Sequence, residues 1–473
     1  MEIKATSIKE HIDTDFRTYS MYVIQSRGIP NFYDSLTPVQ RLILQHAPDK
    51  FQTTVALVGQ VMATGLYHHG DMSLTKAINK LARPFGCSRR MLVGDGFFGS
   101  PVNPKPASSR YTKVKNDTKT KELITRYSPL NKENSEGGYD WLHVDLPIAL
   151  CTHTVGIAVG YASNILPRKM EDVEEYLSGK NKKLMPYFDG FGGKIVRYPG
   201  RPNGWIIEGE FSYDDAKMTI QIGDLPPLLK YTSFVNKLNK KLDLYGSTYG
   251  MINNSKKTVD IVIKWKNRDN WEEVKEAVEK ITKVAVMENL VFVKNGNVVE
   301  YDTIHDYLDE FKIYRERVIH MKMMYDLKVS NFELNFLRAK REFLLFMMEK
   351  KRTAAEIKKF ISKYNPNIRR RLDSIKLTAL SPETVKTVEK QIKEMLDQIA
   401  NQEHKSKKQL EYCKSIEKDF KGKGKVSMDS GVTALFEVEN YHVDGIEVFD
   451  EESYAAEEWD VSDEDEDEED ENF

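Results

Sequence analysis

The most restrictive feature of this chain is a helical pattern more than a hundred residues long in its C-terminal part. From Thr303 onward, apolar residues recur three and four apart. One run is Phe311, Tyr314, Val318, Met321 and Tyr325, and a later one is Val385, Val388, Ile392, Met395 and Ile399. That spacing lays a stripe along one face of a helix. Ser381-Pro382 reads as the N-cap and first residue of the later helix. Each helix holds only two or three clean heptads, and a shorter helical block separates them. This predicts a two-stranded antiparallel coiled coil with a globular helical tip rather than a fibrous rod. An arm of that length does not fit in one core, so the chain is expected to be a multidomain α+β protein.

The rest of the sequence has a different character. Residues 1–26 read as helical, with Ile8, Ile12, Phe16, Tyr19, Tyr22 and Val23 at apolar positions. The first 17 residues are charged throughout and carry no signal-peptide core. Between Asn31 and Gly99, short helical patterns alternate with glycine turns. Asp71 to Leu81 reads as one helix through Leu74, Ile78 and Leu81. Its other face carries Lys76 and Lys80, a basic pair suited to phosphates or simply to solvent. Residues 190–300 are rich in β patterns at Gly193–Tyr198, Gly204–Phe211, Met218–Ile222 and Val259–Lys264, with an amphipathic helix at Trp271–Val284. Phe420 to Ser427 reads as a linker. Asp463 to Glu471 is an unbroken run of carboxylates, too self-repulsive to fold alone.

Charge matters through its distribution. The formal net charge is -2, but residues 451–473 hold 14 of the 72 acidic groups and no Lys or Arg. Without them 70 basic groups face 58 acidic ones, a balance of +12 over residues 1–450. A basic body with an acidic tail suits a polyanion partner. Mean hydropathy is -0.53, and no apolar run approaches a membrane span, so a soluble, cytoplasmic protein is expected. Three scattered cysteines, Cys87, Cys151 and Cys413, suit neither a disulfide framework nor a cysteine zinc site.

Several motifs could carry chemistry. Ser109-Arg110-Tyr111-Thr112 places a guanidinium beside a phenol. A phenol is a weak nucleophile until a cation, base or metal assists it, and Arg110 offers a donor fork matched to phosphate. Tyr67-His68-His69-Gly70-Asp71 puts two imidazoles at a helix start, where anions are favoured. Arg27 and Arg41 flank Gly28-Ile29-Pro30 and Asp34-Ser35-Leu36-Thr37-Pro38. Arg89-Arg90-Met91-Leu92-Val93 and Phe98-Gly99-Ser100 follow. Each motif alone is as well explained by a turn.

Taken in order, these motifs resemble the breakage-reunion region of the type IIA DNA topoisomerases, the family of bacterial gyrase and eukaryotic topoisomerase II. The resemblance continues through Gly156-Ile157-Ala158-Val159-Gly160, Asn164-Ile165-Leu166-Pro167 and Ile222-Gly223-Asp224-Leu225-Pro226-Pro227. It covers roughly residues 15–420. The Tyr-His-His-Gly-Asp form is nearer the eukaryotic and phage versions. In size and layout the chain is most similar to the phage members, which divide the ATPase and metal-binding parts from the cleavage part.

The resemblance implies an N-terminal helical arm over 1–24 and a winged-helix domain over 25–140. It implies a mixed α/β tower over 141–302, a coiled coil with exit gate over 303–420, a linker over 421–450 and an acidic tail over 451–473. It makes Tyr111 the nucleophile that joins a DNA 5′ end, with Arg110 stabilising the phosphate. Arg27, Arg41, His68, His69, Lys76, Lys80 and Arg89 would contact DNA, and Ile165 would be the apolar wedge that bends it. A homodimer follows from one tyrosine per strand, and the run Phe343–Met348 suits the exit-gate contact. Leu42, Phe97 and Lys76 depart from bacterial patterns, which leaves quinolone sensitivity in doubt.

No nucleotide-binding G-x-x-x-x-G-K-[ST] run occurs, since Gly190–Lys194 lacks both the spacing and the hydroxyl. The sequence also leaves no room for a DNA-wrapping domain after the coiled coil, which argues for relaxation or decatenation over supercoiling. ATP and Mg²⁺ are therefore expected on a separate ATPase/TOPRIM subunit. Two other readings stay open at this level: a tyrosine-recombinase-like strand transferase, and a non-catalytic architectural DNA-binding protein.

Overall fold

The computed structural model describes residues 8–180, 182–246, 249–375 and 380–422. The acidic tail and nearly all of the expected linker lie outside them. Two compact units divide the described chain: residues 8–322 with 408–422, and residues 323–407.

The first unit begins with a helical arm. Helices α1 (Ile8–His11) and α2 (Arg17–Val23) are joined and extended by π-helical turns at Ile12–Phe16 and Ile24–Gly28. Ile24 packs against Ile29, Val291 and Val293. The stripe Ile8, Ile12, Phe16, Tyr19 and Tyr22 stays exposed. Helix α3 (Pro38–His46) starts on a Thr37–Gln40 capping box with Pro at its first position. Next come strand β1 (Gln52–Thr53), helices α4 (Thr54–Ala63) and α5 (Asp71–Ala82), strands β2 (Leu92–Asp95) and β3 (Lys113–Asn116), and helix α6 (Thr118–Thr125). The three strands form an antiparallel sheet in the order β1-β3-β2. Helix α5 buries Leu74, Ile78 and Leu81, as its spacing requires.

Strands β4 (Thr154–Ile157) and β5 (Ala162–Ile165) form a two-stranded hairpin, followed by helix α7 (Met170–Leu177). Then come β6 (Lys194–Arg197), β7 (Gly204–Glu208), β8 (Glu210–Asp214), β9 (Thr219–Asp224), helix α8 (Tyr231–Tyr245), β10 (Tyr249–Asn253), β11 (Ile261–Trp265) and helix α9 (Trp271–Ile281). Strands β12 (Lys283–Met287), β13 (Leu290–Lys294) and β14 (Asn297–Tyr301) complete the β content. Strands β10-β11-β9-β8 form one sheet, whose core includes Ile220, Ile261 and Trp265 against Phe234, Leu238, Val274 and Val278 of α8 and α9. Strands β12-β7-β6 form another.

The helix expected over Trp271–Val284 ends three residues early. Thr282 donates its N–H to Val278 and Glu279 and closes the last turn, and Val284 then pairs opposite Ile207 in the sheet. The β-branched residues Val284 and Val286 fit a pleated strand better than a helix end.

Helix α10 (Ile304–Glu349) is rooted in an aromatic cluster. Phe292 stacks on Tyr307 at 4.3 Å, and the Tyr307 hydroxyl donates to the Phe32 carbonyl at 3.0 Å. His143 shares a hydrogen bond with the Tyr314 hydroxyl at 3.0 Å, and burial pushes its imidazole down to about 4.

In the second unit, α10 is followed by α11 (Ala354–Ser362), α12 (Pro366–Asp373) and α13 (Pro382–Gly422). Met324 meets Ser406 and Arg341 pairs with Glu389 at 2.8 Å, so α10 and α13 run antiparallel there. The expected tip forms a core of Phe336, Phe343, Ile361, Ile368 and Leu372. The run Phe343–Met348 is split by helix geometry. Phe343 and Leu344 are buried inside this unit, while Leu345 and Met348 reach solvent.

Candidate nucleic-acid interface

Tyr111 sits on a turn gripped from two sides. Its N–H donates to the Ser108 carbonyl at 2.9 Å. The first amides of α4 hold the turn from one side: Thr54 N donates to Thr112 O at 2.9 Å and Val55 N to Ser109 O at 3.2 Å. The Thr54 and Thr112 hydroxyls, both fully buried, lie 2.8 Å apart. On the other side Ala107 N donates to Phe97 O at 2.9 Å. Gly96 adopts φ +101, and a Cβ there would stand 3.2 Å from the Tyr111 carbonyl. The backbone is therefore immobilised while the Tyr111 side chain is 72% exposed. Arg110 is exposed beside it, and exposed Lys105 and Lys113 lie on the same segment. A fixed phenol next to a free guanidinium can present a nucleophile to a phosphate while a cation offsets the charge that develops.

The other expected site residues divide into several groups. His68 is exposed, and His69 is half-buried edge-on to Tyr67 at 5.5 Å. Both line a cleft of about 440 Å³ together with Tyr22, Gln25 and Tyr139. Neither Tyr111 nor Arg110 lines it. Lys76 is exposed on α5. Lys80, one turn on, is half-buried, and burial followed by the Arg83 charge pushes its ammonium down to about 8. Arg89 is half-buried and reaches the Thr120 hydroxyl at 3.5 Å, the limit of a hydrogen bond. Arg27 ends the arm, and its side chain lies outside the described residues.

Two of the expected site residues are largely buried. Arg41 borders the same cleft as His68 and His69 but is engaged within the protein. Its side chain is 5% exposed and grips Asp34 through Nε at 2.7 Å and Nη2 at 3.1 Å, and it also donates to the Leu36 carbonyl. Asp34 is further bound by the Leu142 amide at 2.9 Å. Arg41 thus neutralises a buried carboxylate, and removing one partner of such a pair costs about 3–5 kcal/mol.

Ile165 is not an exposed wedge. It is 1% exposed, whereas Ile157, at the end of β4, is 77% exposed with Val155 beside it on the same face. Sequence reasoning missed Ile157, although it stands within the Gly156–Gly160 motif. The signal was the flanking Gly28 and Gly156. A Cβ on Gly156 would sit 1.8 Å from the Gly28 carbonyl, and one on Gly28 would sit 2.5 Å from the Ile157 carbonyl. Only two glycines allow the end of the arm to touch this strand. Ile157 is thereby placed against the backbone beside Arg27.

Among the described residues, no group of three or more His, Cys, Asp or Glu side chains could hold a metal ion. No described helix is long and apolar enough to cross a membrane.

Residues 27–421 match the family of the A-type subunits of DNA gyrase and topoisomerase IV. The chain belongs to that family. It is similar to the DNA topoisomerase medium subunit of enterobacteria phage T4, with 28% identity over 260 residues, 52% of this chain and 58% of the phage protein. The DNA gyrase A-type subunit of Kosmotoga olearia is 32% identical over 230 residues, 44% of this chain and 27% of that one. The chain therefore spans little more than half of the phage relative and about a quarter of the gyrase protein. Its fold is that of the Plasmodium falciparum topoisomerase II DNA-binding, cleavage and re-ligation domain. The TM-score is 0.72 at 20% identity, covering 88% of this chain and 66% of that one. The family is thus shown by the match over residues 27–421, and the fold by the likeness to the Plasmodium domain.

Proposed function

We propose that this chain breaks and rejoins duplex DNA for ATP-dependent strand passage, with Tyr111 as nucleophile and relaxation or decatenation as the outcome. The observation that carries the reading is the Tyr111 turn: a 72% exposed phenol on a backbone tied down from both sides, beside an exposed Arg110, in a chain of this family. The Tyr111 oxygen bonds to phosphorus, the bond from phosphorus to the DNA 3′ oxygen breaks, and that oxygen leaves with a proton. The 5′ end stays on the tyrosine. One phosphate ester replaces another, so resealing is the same exchange reversed and needs no energy input. Arg110 offsets the negative charge that builds on the phosphate oxygens.

Helices α3 to α5 with the β1-β3-β2 sheet read as a winged-helix domain, and Lys76, Lys80, Arg89, His68, His69 and Arg27 as its phosphate contacts. Residues 141–302 read as the tower and 303–420 as the coiled coil and exit gate. Ile157 takes the wedge role, with insertion of an aliphatic side chain kinking the duplex. Two strands need two tyrosines, so the working form is a homodimer. ATP and Mg²⁺ are assigned to a separate ATPase/TOPRIM subunit, in keeping with the similarity to a phage protein that is itself one subunit of a topoisomerase.

The test is to denature a cleavage reaction containing labelled duplex, Mg²⁺ and the partner subunit, then to map the adduct by mass spectrometry. A 5′ phosphate on Tyr111 is expected. A 3′ adduct that persists in EDTA points instead to a recombinase-like transferase. A reconstituted complex with full activity in Tyr111→Phe points to an architectural role.

A further inference from the structure

The β4–β5 hairpin has only four residues in each strand, and a hairpin that small has little stability of its own. Yet it presents Ile157 for a task that resists it, because opening a base step costs stacking energy. Its stiffness comes from the corner between β12 and β13. Asn164 exchanges two backbone hydrogen bonds with Asn289, each 3.0 Å, and its Nδ2 donates to the Met287 carbonyl at 2.8 Å. The Ser163 hydroxyl donates to the Val291 carbonyl at 2.6 Å.

Glu288 stands at the apex of that corner and is 2% exposed. Its Oε1 accepts the Leu166 amide at 2.9 Å and Arg168 Nη1 at 3.1 Å. Its Oε2 accepts Arg168 Nη2 at 2.6 Å and Trp205 Nε1 at 2.7 Å. Arg168, fully buried, also donates to the Leu166 and Leu184 carbonyls at 2.7 and 2.9 Å. One carboxylate thus joins the strand leaving the hairpin, β7 and the β12–β13 corner. Four donors converge on two oxygens, the arrangement that fixes a buried carboxylate in one pose.

We propose that Glu288 is a positioning residue for DNA bending: through Arg168, Trp205 and Leu166 it braces the hairpin so that the base step, not the hairpin, yields to Ile157. This rests on the reading that the chain bends and cleaves duplex DNA. A braced wedge matters most where the DNA resists and least where the step is already open. A merely structural residue makes no such distinction.

The experiment measures end-to-end fluorescence transfer on a short duplex labelled at both ends, with the full chain and with affinity followed in parallel. Two duplexes are compared, one fully paired and one carrying a mismatch at the wedge step. For Glu288→Gln, the bent fraction on paired DNA is expected to fall about fivefold to tenfold with affinity within about threefold, and to recover to within about twofold of wild type on mismatched DNA. Wild-type bending of paired DNA by this variant, or equal loss on both duplexes, overturns the proposal. If Glu288→Gln fails to fold by circular dichroism, Asn164→Ala decides. It removes the side-chain contacts to Met287 and His153 and leaves the buried ion pair intact, and it must show the same selective loss or the proposal falls. Bending is read without cleavage, so the result is independent of the Tyr111 assignment. A wild-type chain that leaves paired DNA straight sinks the wedge reading itself.

Discussion

The Tyr111 turn and the Ile157 hairpin solve the same problem with different forces. Each displays an exposed side chain, 72% and 77% respectively, on a backbone tied down by contacts to neighbouring segments. The Tyr111 turn is held by main-chain hydrogen bonds and a pair of buried hydroxyls. The hairpin adds to its main-chain bonds with Asn289 a buried carboxylate–guanidinium pair and two glycine contacts. The difference matches the tasks proposed for them. A nucleophile needs accurate placement while charge develops beside it, and buried ionic groups nearby would perturb that charge. A wedge needs resistance to force and can tolerate buried charge beneath it.

The sharpest break in this comparison is Tyr111→Phe. It should abolish the covalent DNA adduct, a loss of at least about 10³-fold, while leaving bending intact. Denaturing gels and fluorescence transfer read the two separately. Arg110→Lys keeps the charge but loses the planar fork. Cleavage rate should fall about 10²-fold with DNA affinity changed far less, as single-turnover kinetics would reveal.

Ile157→Ala is the reciprocal change. Bending should drop, and cleavage should fall about tenfold as a consequence, since the adduct forms on bent DNA. Its thermal unfolding should move little, because an exposed side chain contributes within about 0.5 kcal/mol.

Two pH effects are smaller. Lys80 is pushed down to about 8 by burial and by Arg83, so it carries a proton below that pH and loses it above. Raising the pH from about 7 to 9 should weaken duplex binding about threefold in wild type. Lys80→Gln should bind more weakly at pH 7, with a flatter pH profile and a salt slope lower by about one.

His143 acts on stability rather than on binding. Its imidazole lies near 4 in the folded chain against an ordinary 6.5, from burial and then from Lys132. Between those values the unfolded chain binds the extra proton. Stability therefore falls as the pH drops through that window, by on the order of 2 kcal/mol. His143→Gln should remove that slope in denaturant titrations, with DNA bending unaffected at neutral pH.

Much of the architecture could be read directly from residue order. The 3–4 spacing from Phe311 to Tyr325 and from Val385 to Ile399 lies on helices of 46 and 41 residues. Asp71 starts the helix expected of it. The Arg110–Tyr111 pair stood out because the motif series around it matched one family. Strands β10 and β12–β14 were not legible. Tyr249–Asn253 has one glycine and an adjacent apolar pair, Met251-Ile252, that breaks alternation, and it becomes a strand by pairing with Ile261–Trp265, a partner about ten residues away in the chain. Sheet pairing is a non-local bond that local composition does not encode.

What the sequence determined by itself is the inventory and its periodicity: a phenol beside a guanidinium, two long amphipathic helices, and strands alternating every second residue. What only the tertiary structure decided is which side of each element is covered. Ile157 and Ile165 belong to the same hairpin and the same residue type. Ile165 is covered where β5 meets β13, and Ile157 faces outward, because alternation defines two faces without naming the one that meets a neighbour. Arg41 was equally undecidable, since its role depends on Asp34 being buried under Leu142, more than a hundred residues away. Side-chain chemistry is local, but desolvation belongs to the assembled neighbourhood, and desolvation decides whether a cation binds a ligand or balances its own protein.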